Sequence, residues 1–136
     1  MSSRSRVEVT RVAVLADDLI WQLRLAEAAQ SAGATTLRVR SIAALERELD
    51  HVEAVIVDLT ARQYDPLLAL EAVAGRSLRV LAVGQHDDHE LRKRALAAGA
   101  ERVYAYRKLF EDGGATLSAW LSTVPPAAPA ATSRAR

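Results

Sequence analysis

Short apolar runs alternate with stretches of helical periodicity along most of the chain. Val12-Ala-Val-Leu-Ala16 is an apolar run that stops at Asp17-Asp18, as a buried strand with carboxylates at its C-terminal end would. Ile20, Leu23 and Ala26 to Ala28 recur at helical spacing, and Gly33 closes that stretch. Thr36-Leu-Arg-Val-Arg40 alternates apolar and charged residues like a strand near a sheet edge. Ser41 is placed to cap a helix carrying Ile42, Leu45 and Leu49. Ala54-Val-Ile-Val57 is the clearest buried strand and ends at Asp58. Asp65-Pro66 reads as a cap and first turn for a helix to about Ala74. Leu78 to Val83 form a fourth strand. The polar loop Gln85 to Asp88 is placed to cap a helix from about His89 to Ala98, which closes at Gly99; Arg102 to Tyr106 form a last strand, and Gly113-Gly114 precede a helix with Leu117, Trp120 and Leu121.

This β-α order, repeated five times with apolar strands, predicts an α/β fold: a doubly wound, five-stranded parallel sheet with helices on both faces. The predicted organisation is a flexible N-terminus over residues 1–9, one domain over 10–122, and a disordered Ala/Pro-rich tail or linker over 123–136.

Composition narrows the function. The 136 residues suffice for one core, half are hydrophobic, and the formal net charge of +1 leaves no basic footprint for nucleic acid. The absence of cysteine removes disulfide, thiol and Cys-zinc chemistry and suits a reducing cytoplasm. The apolar runs are too short to span a membrane.

Three carboxylates stand out: Asp17 and Asp18 after the first strand, and Asp58 after the third. Ligands of an open parallel sheet sit beyond the C-terminal strand ends, where the strand order reverses. With order 2-1-3-4-5 the three acids converge there, and a pocket of that kind suits Mg²⁺ with several waters. Each acid taken alone reads instead as a turn or helix cap.

At these residues the chain resembles the receiver domains of response regulators, over residues 10–122. Val14-Leu-Ala-Asp-Asp18 is similar to the family's first strand and acidic pair, Ala54-Val-Ile-Val-Asp-Leu59 to its third strand, and Ala97-Ala-Gly-Ala100 to the turn before its fifth. The resemblance implies a flavodoxin-like fold, with Asp58 as acceptor of a phosphoryl group from a histidine kinase. It also implies Mg²⁺ held by Asp17, Asp18, Asp58 and the backbone carbonyl of Thr60. Two response elements depart from the family pattern. Gly84 stands where the family keeps Ser or Thr, and an ungapped count puts Tyr106 at its Lys and Arg107 at the following Pro. Arg107 or Lys108 supplies a cation only after a slip of one or two residues. The family's switch aromatic falls on Val103, with Tyr104 next to it facing the other way.

The reading is an atypical or pseudo-receiver. It is a cytoplasmic, non-enzymatic signalling module of bacterial signal transduction that binds protein partners, a histidine kinase or effector among them. Arg92, Lys93, Tyr104, Tyr106, Arg107 and Lys108 form its candidate partner surface, and a homodimer through the fourth-helix face is a further expectation. The alternatives are a working phosphoacceptor at Asp58 with Mg²⁺, or a small enzyme or nucleotide-binding protein on the same fold. Against the latter, the sequence has no Gly-x-Gly-x-x-Gly after the first strand, no phosphate loop and no Asp-x-Asp at either acidic site. Trp21 and Trp120 are read as packing partly on the core, and His86, His89 and His51 as polar loop or cap residues.

Overall fold

The computed structural model of the chain describes residues 10–85, 87–112 and 114–122. The expected terminal segments 1–9 and 123–136, with His86 and Gly113, lie outside the described residues. In chain order the elements are β1 (Thr10–Leu15), α1 (Leu19–Ser31), β2 (Ala34–Val39), α2 (Ile42–Glu48), β3 (Ala54–Asp58), α3 (Pro66–Ala74), β4 (Arg79–Gly84), α4 (His89–Ala97), β5 (Arg102–Ala105), α5 (Tyr106–Glu111) and α6 (Ala115–Ser122). A 3-10 turn, Leu49–His51, follows α2. All strands are parallel, in the order β2-β1-β3-β4-β5. This is the doubly wound parallel sheet that the alternation of strands and helices predicts, with the flavodoxin-like fold that the resemblance implies.

The central strands β1, β3 and β4 are mainly apolar because both faces are covered there, and successive side chains enter opposite cores, while the edge strand β2 is partly exposed. Val55 and Val57 join Leu15, Leu45, Leu70, Val73 and Ala95 on the side of α2, α3 and α4. Ala54 and Ile56 join Val12, Leu25, Leu109, Leu117 and Trp120 on the side of α1, α5 and α6. The predicted caps form: Ser41 Oγ accepts from Ala44 N, Asp65 Oδ1 from Leu67 N, and Asp88 Oδ1 from Leu91 N.

Gly99 ends α4 at φ +123°, and a Cβ there would lie 2.5 Å from Ala74 Cβ on the neighbouring α3. Gly99→Ala therefore combines a disfavoured backbone with a steric overlap. Its expected cost is about 3 kcal/mol, read from a urea melt against wild type.

The chain departs from expectation after β5. The last strand stops at Ala105 rather than Tyr106, and a six-residue helix, α5, begins there. Tyr106, Leu109 and Phe110 stand at i, i+3 and i+4, which turns all three toward α1. Tyr106 is thereby fixed at the C-terminal edge of the sheet, beside the ends of β1 and β3.

Candidate functional site: a closed acidic pocket

Leu15 pairs with Val57 in register, so the residues following β1 and β3 emerge together. Protein side chains bridge the strand ends there. Gln22 donates its amide to Ala16 O (3.1 Å) and Val39 O (2.8 Å), joining β1 to β2. Tyr64 donates its hydroxyl to Leu15 O (3.0 Å) and Asp58 O (2.8 Å), joining β1 to β3. Neither residue stands out in the strand pattern. For Gln22 the available signal was its place in the inward stripe with Leu25, Ala26 and Ala29, where a buried amide needs partners. Tyr64 lies in the loop after β3 and carries no comparable periodic signal.

The three acids behave differently from one another. Asp18 Oδ1 caps α1, accepting from Ile20 N and Trp21 N at 3.0 Å each. Asp17 Oδ2 accepts from Arg62 N (2.7 Å) and Gln63 N (2.6 Å) and so pins the loop after β3, while Arg40 donates to the Asp17 carbonyl at 3.0 Å. Asp58 is fully buried. Its Oδ1 accepts from Thr60 N (2.9 Å), Thr60 Oγ1 (2.8 Å) and the Tyr106 hydroxyl. Thr60 Oγ1 and Tyr106 OH also meet at 2.8 Å. Three oxygen pairs thus share two hydroxyl protons, and two of the three edges are bonded at a time. Asp58 Oδ2 is buried with no hydrogen-bond partner.

Burial holds both phenols in the neutral, donating form. Desolvation raises the Tyr106 ionisation well above the ordinary phenol range, and its bond to Asp58 adds to the rise. Desolvation, then the charges of Asp58 and Asp17, do the same to Tyr64.

The donors as arranged do not fit a resident Mg²⁺. An octahedral ion needs several oxygens around one point. Here Asp17 and Asp18 are turned to backbone amides and Asp58 Oδ1 to three protein donors. No group of three or more His, Cys, Asp or Glu side chains able to hold a metal occurs among the described residues.

The Tyr106 hydroxyl stands on the Asp58 carboxylate. Arg107 turns instead to Glu111 at 3.5 Å, and Lys108 is exposed. Tyr106 is also one of the candidate partner-surface residues, and in the structure it is buried. Its ring stacks on Trp21 (centroids 4.3 Å apart, planes at 22°), which in turn stacks on Phe110 at 5.7 Å. The Arg24 guanidinium lies over Phe110 and Trp21, at 4.6 and 5.3 Å. Of the other surface candidates, Arg92, Lys93, Arg107 and Lys108 are exposed and Tyr104 is half-buried. Val103 and Tyr104 face opposite cores, as strand alternation requires. Gly84 ends β4 with no side chain, and a Cβ there would meet Leu59 Cβ and Cδ1 at 3.3 Å.

No protein-family model matches the chain, and no curated protein matches it. Solved structures do. The signal receiver domain of a DNA-binding response regulator from Colwellia psychrerythraea superposes with a TM-score of 0.71 at 16% identity, covering 84% of this chain and 99% of that one. A beryllofluoride-activated DrrB receiver domain gives 0.72 at 16% identity, covering 85% and 99%. A Burkholderia pseudomallei response regulator, solved with a phosphorylated aspartate, calcium and citrate, gives 0.66 at 15%, covering 91% and 71%. The chain therefore has the fold of the response-regulator receiver domains, with a tyrosine hydroxyl seated on the aspartate that ends its third strand.

Proposed function

We propose that this chain is a pseudo-receiver: a signalling module that acts by protein–protein contact in bacterial signal transduction, with phosphorylation at Asp58 absent or uncoupled. The observation that carries this reading is the closure of the acceptor, with Asp58 fully buried and its Oδ1 taken by Thr60 and Tyr106. Gly84 removes the hydroxyl through which a phosphoryl group on Asp58 would be felt at β4, so a modified Asp58 would lack its usual route to a population shift. In this reading the chain binds partners in the cytoplasm and is not an enzyme. The partner is a protein, a histidine kinase or an effector. Arg92 and Lys93 on α4, with Tyr104, Arg107 and Lys108, supply the basic and aromatic chemistry of the docking face, and a second copy of the chain is one occupant of that face.

The unpartnered Asp58 Oδ2 favours one other reading, a working phosphoacceptor. Oδ2 would attack the phosphorus of acetyl phosphate, forming an O–P bond while acetate leaves with the electrons of the broken P–O bond.

Titration with Mg²⁺, with and without beryllofluoride, separates the two. Trp21 fluorescence and backbone amide shifts report on the pocket. No saturable change at millimolar Mg²⁺ is expected. A saturable response that Asp58→Asn abolishes, with amide shifts reaching Tyr104, would establish a live phosphoswitch and overturn the proposal.

A further inference from the structure

We propose that Tyr106 is a removable stopper on Asp58, and that Trp21 is the positioning residue that keeps it shut. This rests on the reading that Asp58 is unmodified in the resting protein, and it identifies how access to that carboxylate is controlled.

The donors onto Asp58 Oδ1 are of two kinds. Thr60 lies two residues beyond Asp58, and its amide and hydroxyl belong to the turn that β3 itself makes. Those bonds travel with the strand and persist in any state that keeps the sheet. The Tyr106 hydroxyl arrives from 48 residues away, on the first residue of another element. That element is short and is anchored in the core through Leu109, not through its N-terminus. α5 has six residues, and its N-terminus at Ala105 has no side-chain cap. The Tyr106 ring is stacked with Trp21 at 4.3 Å and Phe110 at 6.2 Å, and its hydroxyl also meets Thr60 Oγ1 at 2.8 Å.

The outer side of that stack is reachable. Trp21 and Phe110 are half-buried, and Arg24, which covers both rings, is exposed. The first turns of α1 around Trp21 present Leu19 at 59% exposure and Ile20 at 70%. Any shift of Trp21 removes the flat surface against which the Tyr106 ring is stacked. Closure of Asp58 is therefore set from the α1–α5 face, through one aromatic contact.

The test reads access to the carboxylate without any metal. The full chain is treated with a water-soluble carbodiimide and glycine ethyl ester. A carboxyl oxygen adds to the carbodiimide carbon while a proton goes to its nitrogen, and the amine then displaces the urea to form an amide. Modification at Asp58 is mapped by mass spectrometry and scaled to Asp50, whose side chain is 80% exposed. Wild type is expected to react slowly at Asp58. Tyr106→Phe keeps the stacked ring and should stay within about threefold of wild type, while Trp21→Ala should react about fivefold faster, the worth of one aromatic pair. Tyr106→Ala should react about tenfold faster or more, because local opening is no longer required.

Each outcome decides something. If wild-type Asp58 reacts as fast as Asp50, the pocket is open, and both this inference and the proposed function fall. If wild type is slow and Tyr106→Ala is equally slow, the stopper is refuted while the pseudo-receiver reading stands. Should Tyr106→Ala not fold, judged by its amide spectrum, Trp21→Ala decides by itself: an unchanged Asp58 rate overturns the proposal.

Discussion

Trp120→Ala is expected to lower the stability of the fold by about 4 kcal/mol, within the range for deleting a buried indole. Trp120 is 1% exposed and carries α6 into the core shared with α1 and α5. Its ring nitrogen donates to Glu101 at 3.1 Å, and the Arg79 guanidinium lies 5.0 Å from its centroid. Arg79 also pairs with Glu101 at 2.9 Å, so the indole is one side of a partly buried triangle joining the start of β4, the approach to β5 and the final helix. Removing it leaves a cavity and takes one donor from Glu101. Trp120→Phe keeps most of the ring and isolates the lost N–H···O bond, for which about 1.5 kcal/mol is expected because the acceptor is charged. Urea denaturation followed by Trp21 fluorescence checks both. A loss below about 1 kcal/mol for Trp120→Ala would mean that α6 is dispensable to the core.

Alkaline pH should unfold the protein through the phenols of Tyr106, which is buried, and Tyr64, which is half-buried. Both ionise in the folded state only well above their ordinary value, for the desolvation already described. Above pH ~10 the unfolded chain releases these protons and the folded chain keeps them, so their stabilisation is complete below that pH and is lost as pH rises past it. Each phenol contributes a slope of about 1.4 kcal/mol per pH unit, and the pair about twice that. Urea midpoints measured from about pH 9 to about pH 11 should fall accordingly, and Tyr106→Phe should roughly halve the slope. A flat profile would show that the phenols reach water in the folded state.

The sheet was legible because its evidence is periodic. Ala54 to Val57 read as a strand buried on both faces, and Ser41, Asp65-Pro66 and Asp88 marked helix starts through local chemistry that needs no tertiary information. The acidic constellation was legible as positions but not as contacts. Asp17, Asp18 and Asp58 do gather at one end of the sheet, and the cap that Asp18 makes and the Thr60 turn on Asp58 are local, but the Arg62–Gln63 amides on Asp17 and the Tyr106 hydroxyl on Asp58 come from 45 to 48 residues away. Tyr106 shows the limit most clearly. Counting placed it at the family's Lys position, but its apolar neighbours Val103 and Tyr104 extended the strand pattern over it. The helical spacing to Leu109 and Phe110 spans too few residues to compete with that signal. Tyr64 was missed for the opposite reason: a loop has no period against which an inward-pointing residue stands out.

Leu59 limits what position 84 can hold. A serine or threonine at position 84 would place its Cβ 3.3 Å from two carbons of Leu59, tighter than ordinary van der Waals contact, so Leu59 must yield by a few tenths of an ångström or be trimmed. A side chain at the end of β4 therefore has room only as far as Leu59 can move aside or shrink. Leu59 also donates its backbone N–H to Val83 O at 2.8 Å, so the residue that follows Asp58 and the last two residues of β4 are packed as one unit.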